Sequence, residues 1–105
     1  MSEQLFQEES FPREDPPLVL KLYVAGMTPR SRRAIEALSR IAEEYLKGND
    51  QIEIIDIYQN PGLAREQQLV VVPTLVKESP PPQQRFIGDL TNGDVVLRGL
   101  GLQNR

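Results

Sequence analysis

The chain has 105 residues, a formal net charge of −3 at pH 7, 9 prolines, and neither cysteine nor histidine. That length predicts one domain with a single modest core. The missing residue types exclude disulfides, thiol redox chemistry, zinc sites built from cysteine and histidine, and nucleophilic catalysis that needs a histidine base. The acidic balance argues against nucleic acid as the main partner.

No apolar run reaches the length of a membrane span, and the N-terminus lacks the basic and then apolar pattern of a signal peptide. No group of side chains has the spacing of a catalytic or metal-binding motif. We therefore expect a cytoplasmic protein that is not an enzyme, binds no cofactor and has no contact with a membrane.

The sequence predicts a tail at residues 1–17 and a folded domain at residues 18–105. The tail has five acidic residues and one arginine, so it carries −4 and the rest of the chain +1. Its prolines discourage regular structure, and we expect it to be disordered. It also contains three large apolar residues that could dock on a surface, although a solvated tail is the simpler expectation: Leu5, Phe6 and Phe11.

A strand, a tight turn and a long helix open the domain. Residues 18–25 are mostly apolar and rich in β-formers, as in a buried strand, and Gly26 ends them. Thr28 is the expected helix N-cap, with proline at the next position. Gly48 is the expected C-cap, with Lys47 in the last turn. An apolar stripe recurs at three- and four-residue spacing along the helix: Ala34, Ile35, Leu38, Ile41, Ala42 and Tyr45.

Alternating strands and a short helix follow. Residues 52–58 have apolar groups on both faces, which predicts an interior strand, parallel to the first. Asn60 and Pro61 then open a short helix that extends to Leu69. Residues 70–76 predict a strand in which Pro73 belongs at an edge, a bulge or the strand start, and a cis bond before it is compatible with this position.

The C-terminal stretch is ambiguous. The prolines at positions 80–82 predict an extended segment, and residues 85–87 predict a strand. Residues 94–100 fit a strand by β-branching and fit a helix by the spacing of their apolar side chains. A segment with two near-equal local solutions is what a fold-switching protein would need, although most such segments adopt one structure.

Few side chains outside the core attract a functional interpretation. Arg30 and Arg33, in the first turn of the long helix, suit an anionic partner and a solvated face equally well. Asp56 and Asp89 are expected to be structural carboxylates, since nothing in the sequence places them together. Three aromatic residues are expected in the core or at a subunit interface: Tyr23, Tyr58 and Phe86.

The predicted element order, βαβαββα, resembles that of an α/β thioredoxin-like single domain. The turn from Gly26 to Ser31 falls where a thioredoxin has its Cys-x-x-Cys motif, and Pro73 falls at the cis-proline. Without cysteine, redox chemistry is excluded because the thiolate is the nucleophile.

A closer resemblance covers residues 18 to about 102. The sequence resembles the KaiB family of circadian clock proteins. The matching residues are Leu20-Lys-Leu-Tyr-Val-Ala-Gly26, Thr28-Pro29, Asp56, Asn60-Pro61, Pro73-Thr74-Leu75, Pro80-Pro-Pro82, Ile87-Gly-Asp-Leu90, Val96-Leu97 and Gly99-Leu100.

The resemblance implies a non-enzymatic regulator. KaiB proteins bind the ring-shaped ATPase and autokinase KaiC, help to capture KaiA, and favour KaiC dephosphorylation; a clock histidine kinase competes for the ring. They are metamorphic: a homo-oligomeric ground state, a tetramer or a dimer, has the order βαββααβ and exchanges slowly with a thioredoxin-like monomer that binds KaiC.

The resemblance also implies roles for particular residues. The surface that we expect to bind the partner is the end of the second strand with the short helix, namely Tyr58, Gln59 and Arg65, together with Arg85. Those implied to govern the fold switch are Pro73, Pro80, Pro81, Pro82, Gly99 and Gly101.

Several positions depart from the family pattern. A family aspartate is Gly101 here, a family lysine is Gln59, and one of two paired arginines is Gln84. The lost positive charges suggest weaker binding to KaiC or a different KaiC paralogue. Together with the loss of the aspartate at Gly101, they leave room for a second hypothesis: a fold-locked thioredoxin-like adaptor or sensor in stress or two-component signalling, akin to the KaiB-like input domain of a clock histidine kinase.

Overall fold

The computed structural model describes residues 16–68 and 72–103. The elements are β1 (Val19–Val24), α1 (Pro29–Tyr45), β2 (Gln51–Asp56), α2 (Pro61–Glu66), β3 (Thr74–Ser79), β4 (Gln84–Ile87) and α3 (Gly93–Leu100). The predicted order βαβαββα is therefore confirmed. Except for Pro16 and Pro17, the predicted tail lies outside the described residues.

The four strands of the described residues form one mixed sheet in the order β2-β1-β3-β4. β1 pairs with β2 in parallel, as predicted, and β3 pairs antiparallel with both β1 and β4. The prediction that the second strand is interior is wrong, because β2 lies at an edge. Ile52 packs with the core on one face and Ile55 is buried on the other, so an edge strand shows the pattern of an interior one.

Each face of the sheet has its own apolar cluster. On the first face, Leu20, Leu22 and Leu75 pack against α1 and α3, and this is the larger core. On the second face, Tyr23, Ile55 and Val76 are buried together, with Leu63 of α2 against them. Because α2 has only six residues, it covers only part of this second face.

The start of α1 is as predicted and its end is not. Thr28 caps the helix, since its side-chain oxygen accepts a hydrogen bond from the backbone N–H of Ser31. The helix ends at Tyr45, and Leu46 at the C-cap is already extended. Gly48 is therefore not the cap, and Lys47 follows the helix. Asp50 fixes this exit, because its Oδ2 accepts the N–H of Lys47 at 2.8 Å.

Among residues 16–68 and 72–103, three proline bonds are cis: Val72–Pro73, Ser79–Pro80 and Pro81–Pro82. Pro73 directly precedes β3, one of the positions that we predicted for it. The strand begins later than predicted, and residues 69–71 lie outside the described residues. Residues 80–82 form a bend between β3 and β4, so the predicted extended segment is wrong.

The ambiguous C-terminal segment is a helix in this structure. Val96 and Leu100 are both buried in the larger core while Arg98 between them is exposed, a pattern that fits helical spacing and not the two-residue period of a strand. Helix α3 ends at Gly101, which has a left-handed backbone with φ 72°. Within the described residues, none of the helices is long and apolar enough to cross a membrane.

Candidate partner-binding surface

The turn after β2 is held by Asp56. Its Oδ1 accepts the backbone N–H of Gly26 at 3.1 Å and that of Tyr58 at 2.9 Å, which gives Asp56 the structural role that we predicted. The ring of Tyr58 lies over Gly26, where a Cβ atom would come within 3.2 Å of it. The Tyr58 side chain is nevertheless 74% exposed, so it is presented to solvent rather than buried in a core.

The turn leads directly into α2, and both carry exposed polar side chains. Gln59 is exposed, and its backbone N–H bonds to the carbonyl of Asp56 at 3.0 Å. Arg65 is exposed in the last turn of α2. Three of the four predicted partner-binding residues thus follow one another along this turn and helix.

Arg85 connects α2 to the far edge of the sheet. It lies on β4, and its guanidinium donates to the backbone carbonyls of Gln67 and Gln68, just beyond the end of α2. A cation is favourable there because the last carbonyls of a helix carry partial negative charge. The fourth predicted residue therefore lies beside the helix that carries Arg65. The sequence suggested only a contact with a partner and missed this bond within the chain.

A second polar cluster lies at the start of α1. The guanidinium of Arg33 binds Asp89 at 3.1 Å, and the other oxygen of Asp89 accepts both the N–H and the hydroxyl of Thr91. The Thr91 hydroxyl and the Arg33 guanidinium lower the pKa of Asp89 below its usual value. Asp89 is therefore structural, as predicted, and Arg33 has a partner within the chain.

The second face of the sheet is charged where α2 does not cover it. Lys21 and Glu78 form an ion pair at 3.4 Å on neighbouring strands. Burial would lower the pKa of Lys21, but the nearby Glu78 carboxylate outweighs it and the pKa is raised. Burial also raises the pKa of Tyr23, the aromatic residue that proves to be core. Nowhere in residues 16–68 and 72–103 do three or more carboxylates gather as a metal site would require.

The comparisons with known proteins identify the family. A family model described as the KaiB domain matches residues 21–102. The chain belongs to the KaiB family of circadian clock proteins. The circadian clock oscillator protein KaiB of Thermosynechococcus vestitus is 51% identical over 84 residues, which are 80% of this chain and 78% of that protein. The circadian clock protein KaiB3 of Synechocystis is 45% identical over 85 residues, covering 81% and 83%.

Solved structures agree on the architecture. The N-terminal domain of Synechococcus elongatus SasA superposes with a TM-score of 0.66 at 27% identity, over 91% of this chain and 94% of that domain. Chloroplastic thioredoxin z superposes with a TM-score of 0.68 at 22% identity, over 81% and 76%. This KaiB-family chain is therefore in a thioredoxin-like arrangement here.

The residues implied in fold switching lie in the half of the fold that follows α2. Pro73 and Pro80 flank β3, and Pro81 and Pro82 complete the bend before β4. Gly99 lies inside α3, where an added Cβ would come 2.5 Å from two ring carbons of Phe86. In this arrangement Gly101 has a left-handed φ and Gly99 does not, and Gly99 permits close packing against the Phe86 ring.

Proposed function

We propose that this protein is a non-enzymatic clock regulator that binds a KaiC-type ATPase ring and modulates its phosphorylation state. The observation that carries the proposal is the combination of KaiB-family membership with the thioredoxin-like arrangement of β3, β4 and α3. In the KaiB family, the thioredoxin-like arrangement is the state that binds KaiC. A KaiA-type protein and a clock histidine kinase are the further partners that family membership implies.

The proposed contact surface consists of Tyr58, Gln59, Arg65 and Arg85. Two properties support it: Tyr58 and Gln59 are exposed on the turn that Asp56 holds and Arg65 is exposed on α2, and Arg85 holds the end of α2 against β4. A rigid, exposed aromatic with nearby arginines is the composition that dominates binding energy in many interfaces. Because Arg85 already bonds to backbone carbonyls, part of its effect on a partner would be to position α2.

The proposed resting state is a homo-oligomer that must convert before it binds. The ring partner would then select the thioredoxin-like monomer and shift the population towards it. Binding should accordingly be slower than diffusion allows, and its rate should not rise in proportion to the concentration of the ring.

Native mass spectrometry tests the proposal directly. The purified protein is measured alone, and then over hours with KaiC-type rings from the same source. We expect an oligomer alone, followed by slow growth of rings that carry several monomers. A monomer that never joins the ring would overturn the proposal.

Matched charge reversals test the surface. Arg65→Glu should reduce ring occupancy at least tenfold, whereas Arg40→Glu should not, since Arg40 is exposed on α1 on the opposite face of the sheet. An equal loss of ring occupancy in both variants would mean that the contact lies elsewhere, or that binding depends only on the net charge of the protein.

The second candidate, a fold-locked adaptor or sensor in stress or two-component signalling, is favoured by one observation. The similarity to the SasA N-terminal domain extends over 91% of the chain. The arrangement described above therefore matches a solved domain without any change of fold. A single monomeric species at every concentration, with no slow phase on addition of the ring, would support this candidate.

A further inference from the structure

A groove of about 360 Å³ lies between the end of β4 and the start of α3, beside the first turn of α1. Phe86 and the buried Val96 contribute its apolar floor. Ile87 and Val95 stand at its margin with 66% and 47% of their surface exposed. Large apolar side chains exposed around a concave surface are typical of a binding site for another apolar group.

Arginines surround this groove. Arg30 lines it, Arg85 lines it while its guanidinium bonds to the Gln67 and Gln68 carbonyls on the α2 side, and a neighbouring hollow that shares Phe86 and Val95 extends it to Arg98. The acidic groups nearby are Asp89, whose carboxylate Arg33 occupies, and Asp94, which is exposed on α3. The rim is therefore positive on balance, and an occupant that combines an apolar side chain with acidic neighbours would fit it.

We propose that residues 1–15 of this same chain dock in the groove, with Phe6 as the apolar anchor. Those residues carry −4, and the rest of the chain carries +1. Phe6 has glutamates on both sides, at positions 3, 8 and 9, which matches a floor of apolar side chains framed by arginines. The first 15 residues lie outside the described part of the chain.

The length of the segment decides which apolar residue reaches the groove. Leu18 is fixed at the start of β1, because its N–H bonds to Asp50 at 2.8 Å. The groove lies at the other end of the sheet, about 20 Å along β1 and about 10 Å across two strands. Phe11 is five residues before Pro16, an extended reach of roughly 17 Å, whereas Phe6 is ten residues before it, roughly 34 Å. Phe6 can therefore reach the groove and Phe11 cannot.

Docking would cover Arg85, which also belongs to the proposed partner-binding surface. A docked segment would then compete with the partner, a consequence that rests on the proposed function. The docking itself does not rest on it, and the experiment below uses no partner, so that the two proposals can fail separately.

Paramagnetic relaxation in the full-length protein tests the docking. Because the chain has no cysteine, Ser2→Cys provides a single site for a nitroxide label. We expect the backbone amide signals of Gly88, Thr91 and Val95 to be lost on labelling, and that of Gly48, at the opposite end of the sheet, to remain. Raising the salt concentration from 50 to 500 mM should restore much of the lost intensity, since it screens exposed charges.

Two matched pairs of substitutions make the result decisive. Phe6→Ser should restore the lost signals and Phe11→Ser should not; likewise Arg30→Glu should restore them and Arg40→Glu should not. Signals unaffected by the label, or lost equally near Gly48, would overturn the proposal. The same loss in unlabelled ¹⁵N protein mixed with nitroxide-labelled ¹⁴N protein would also overturn it, by showing that the segment docks on a second copy.

Discussion

Gly101 has a left-handed backbone conformation, which favours glycine. It ends α3 with φ 72°, and a Cβ atom there would meet nothing within 4 Å. Alanine would therefore add backbone strain alone, about 1 kcal/mol in the free energy of unfolding. We expect Gly101→Ala to lower the urea midpoint of the thioredoxin-like state in a circular dichroism titration.

Gly48→Ala is the matched control for Gly101→Ala. Its Cβ would also meet nothing within 4 Å, and its φ is not left-handed. We expect it to be neutral or slightly stabilising, because alanine restricts the unfolded chain. Equal destabilisation by both substitutions would contradict the role given to the conformation of Gly101.

Asp89 makes part of the stability depend on pH. Its pKa is lower in the folded protein than in the unfolded chain, so the carboxylate stabilises the fold at neutral pH. This contribution should be lost as the pH falls below about 4 and through the lowered pKa. We expect Asp89→Asn to have a lower Tm than the parent at pH 7 and a smaller difference at pH 3. Glu43→Gln, at an exposed position on α1, is the control for removal of one negative charge.

At the scale of elements, α2 is the one most dependent on a single side chain. It has six residues, too few to be stable alone, and Arg85 binds the carbonyls just beyond its end. We expect Arg85→Met to cost roughly 1 kcal/mol of local stability, since bonds from a charged donor are lost at an exposed site. Hydrogen exchange at Leu63 and Gln67 should accelerate, while exchange at Leu75 in β3 should not. Uniform acceleration would mean that Arg85 supports the whole domain instead.

Gly62→Ala should act on α2 in the opposite direction. Gly62 lies inside α2, with open space where a Cβ would be and no left-handed φ. Alanine favours a helix over glycine by about 1 kcal/mol. We expect it to slow hydrogen exchange in α2 and to offset Arg85→Met when the two are combined. Failure to offset would show that Arg85 does more than stabilise the helix.

The elements also show how far the sequence could predict the fold. The order of strands and helices, the parallel start and the Thr28 cap follow from local patterns, and all are present. The edge position of β2 could not be predicted, because helices on both faces give an edge strand an interior pattern. Nor could the bond from Arg85 to the end of α2, since it joins residues 17 or 18 positions apart that no local rule pairs.

For the whole molecule, Gly99 and Phe86 connect packing to the proposed change of fold. A Cβ at Gly99 would overlap the Phe86 ring, so alanine disfavours this arrangement unless the ring moves. We expect Gly99→Ala to change the ratio of oligomer to monomer in size-exclusion chromatography. In a Phe86→Ala background the cost of Gly99→Ala to the monomer should be smaller, a coupling that a double-mutant cycle measures. An unchanged ratio would count against a switching role for Gly99, and additive effects would count against the ring as the cause.

The Asp50 carboxylate accepts hydrogen bonds from the start of β1 and from the end of α1 at one corner of the sheet. One oxygen accepts the N–H of Leu18 and the other that of Lys47, while Asp56 joins β2 to Gly26 at the opposite corner. The β1–α1–β2 half is thereby closed by bonds within itself, and none of these bonds involves β3, β4 or α3. Such a half can persist as one cooperative unit when the other half comes apart. The proposed change of fold would then have a half-folded intermediate available to it and need not pass through the fully unfolded state.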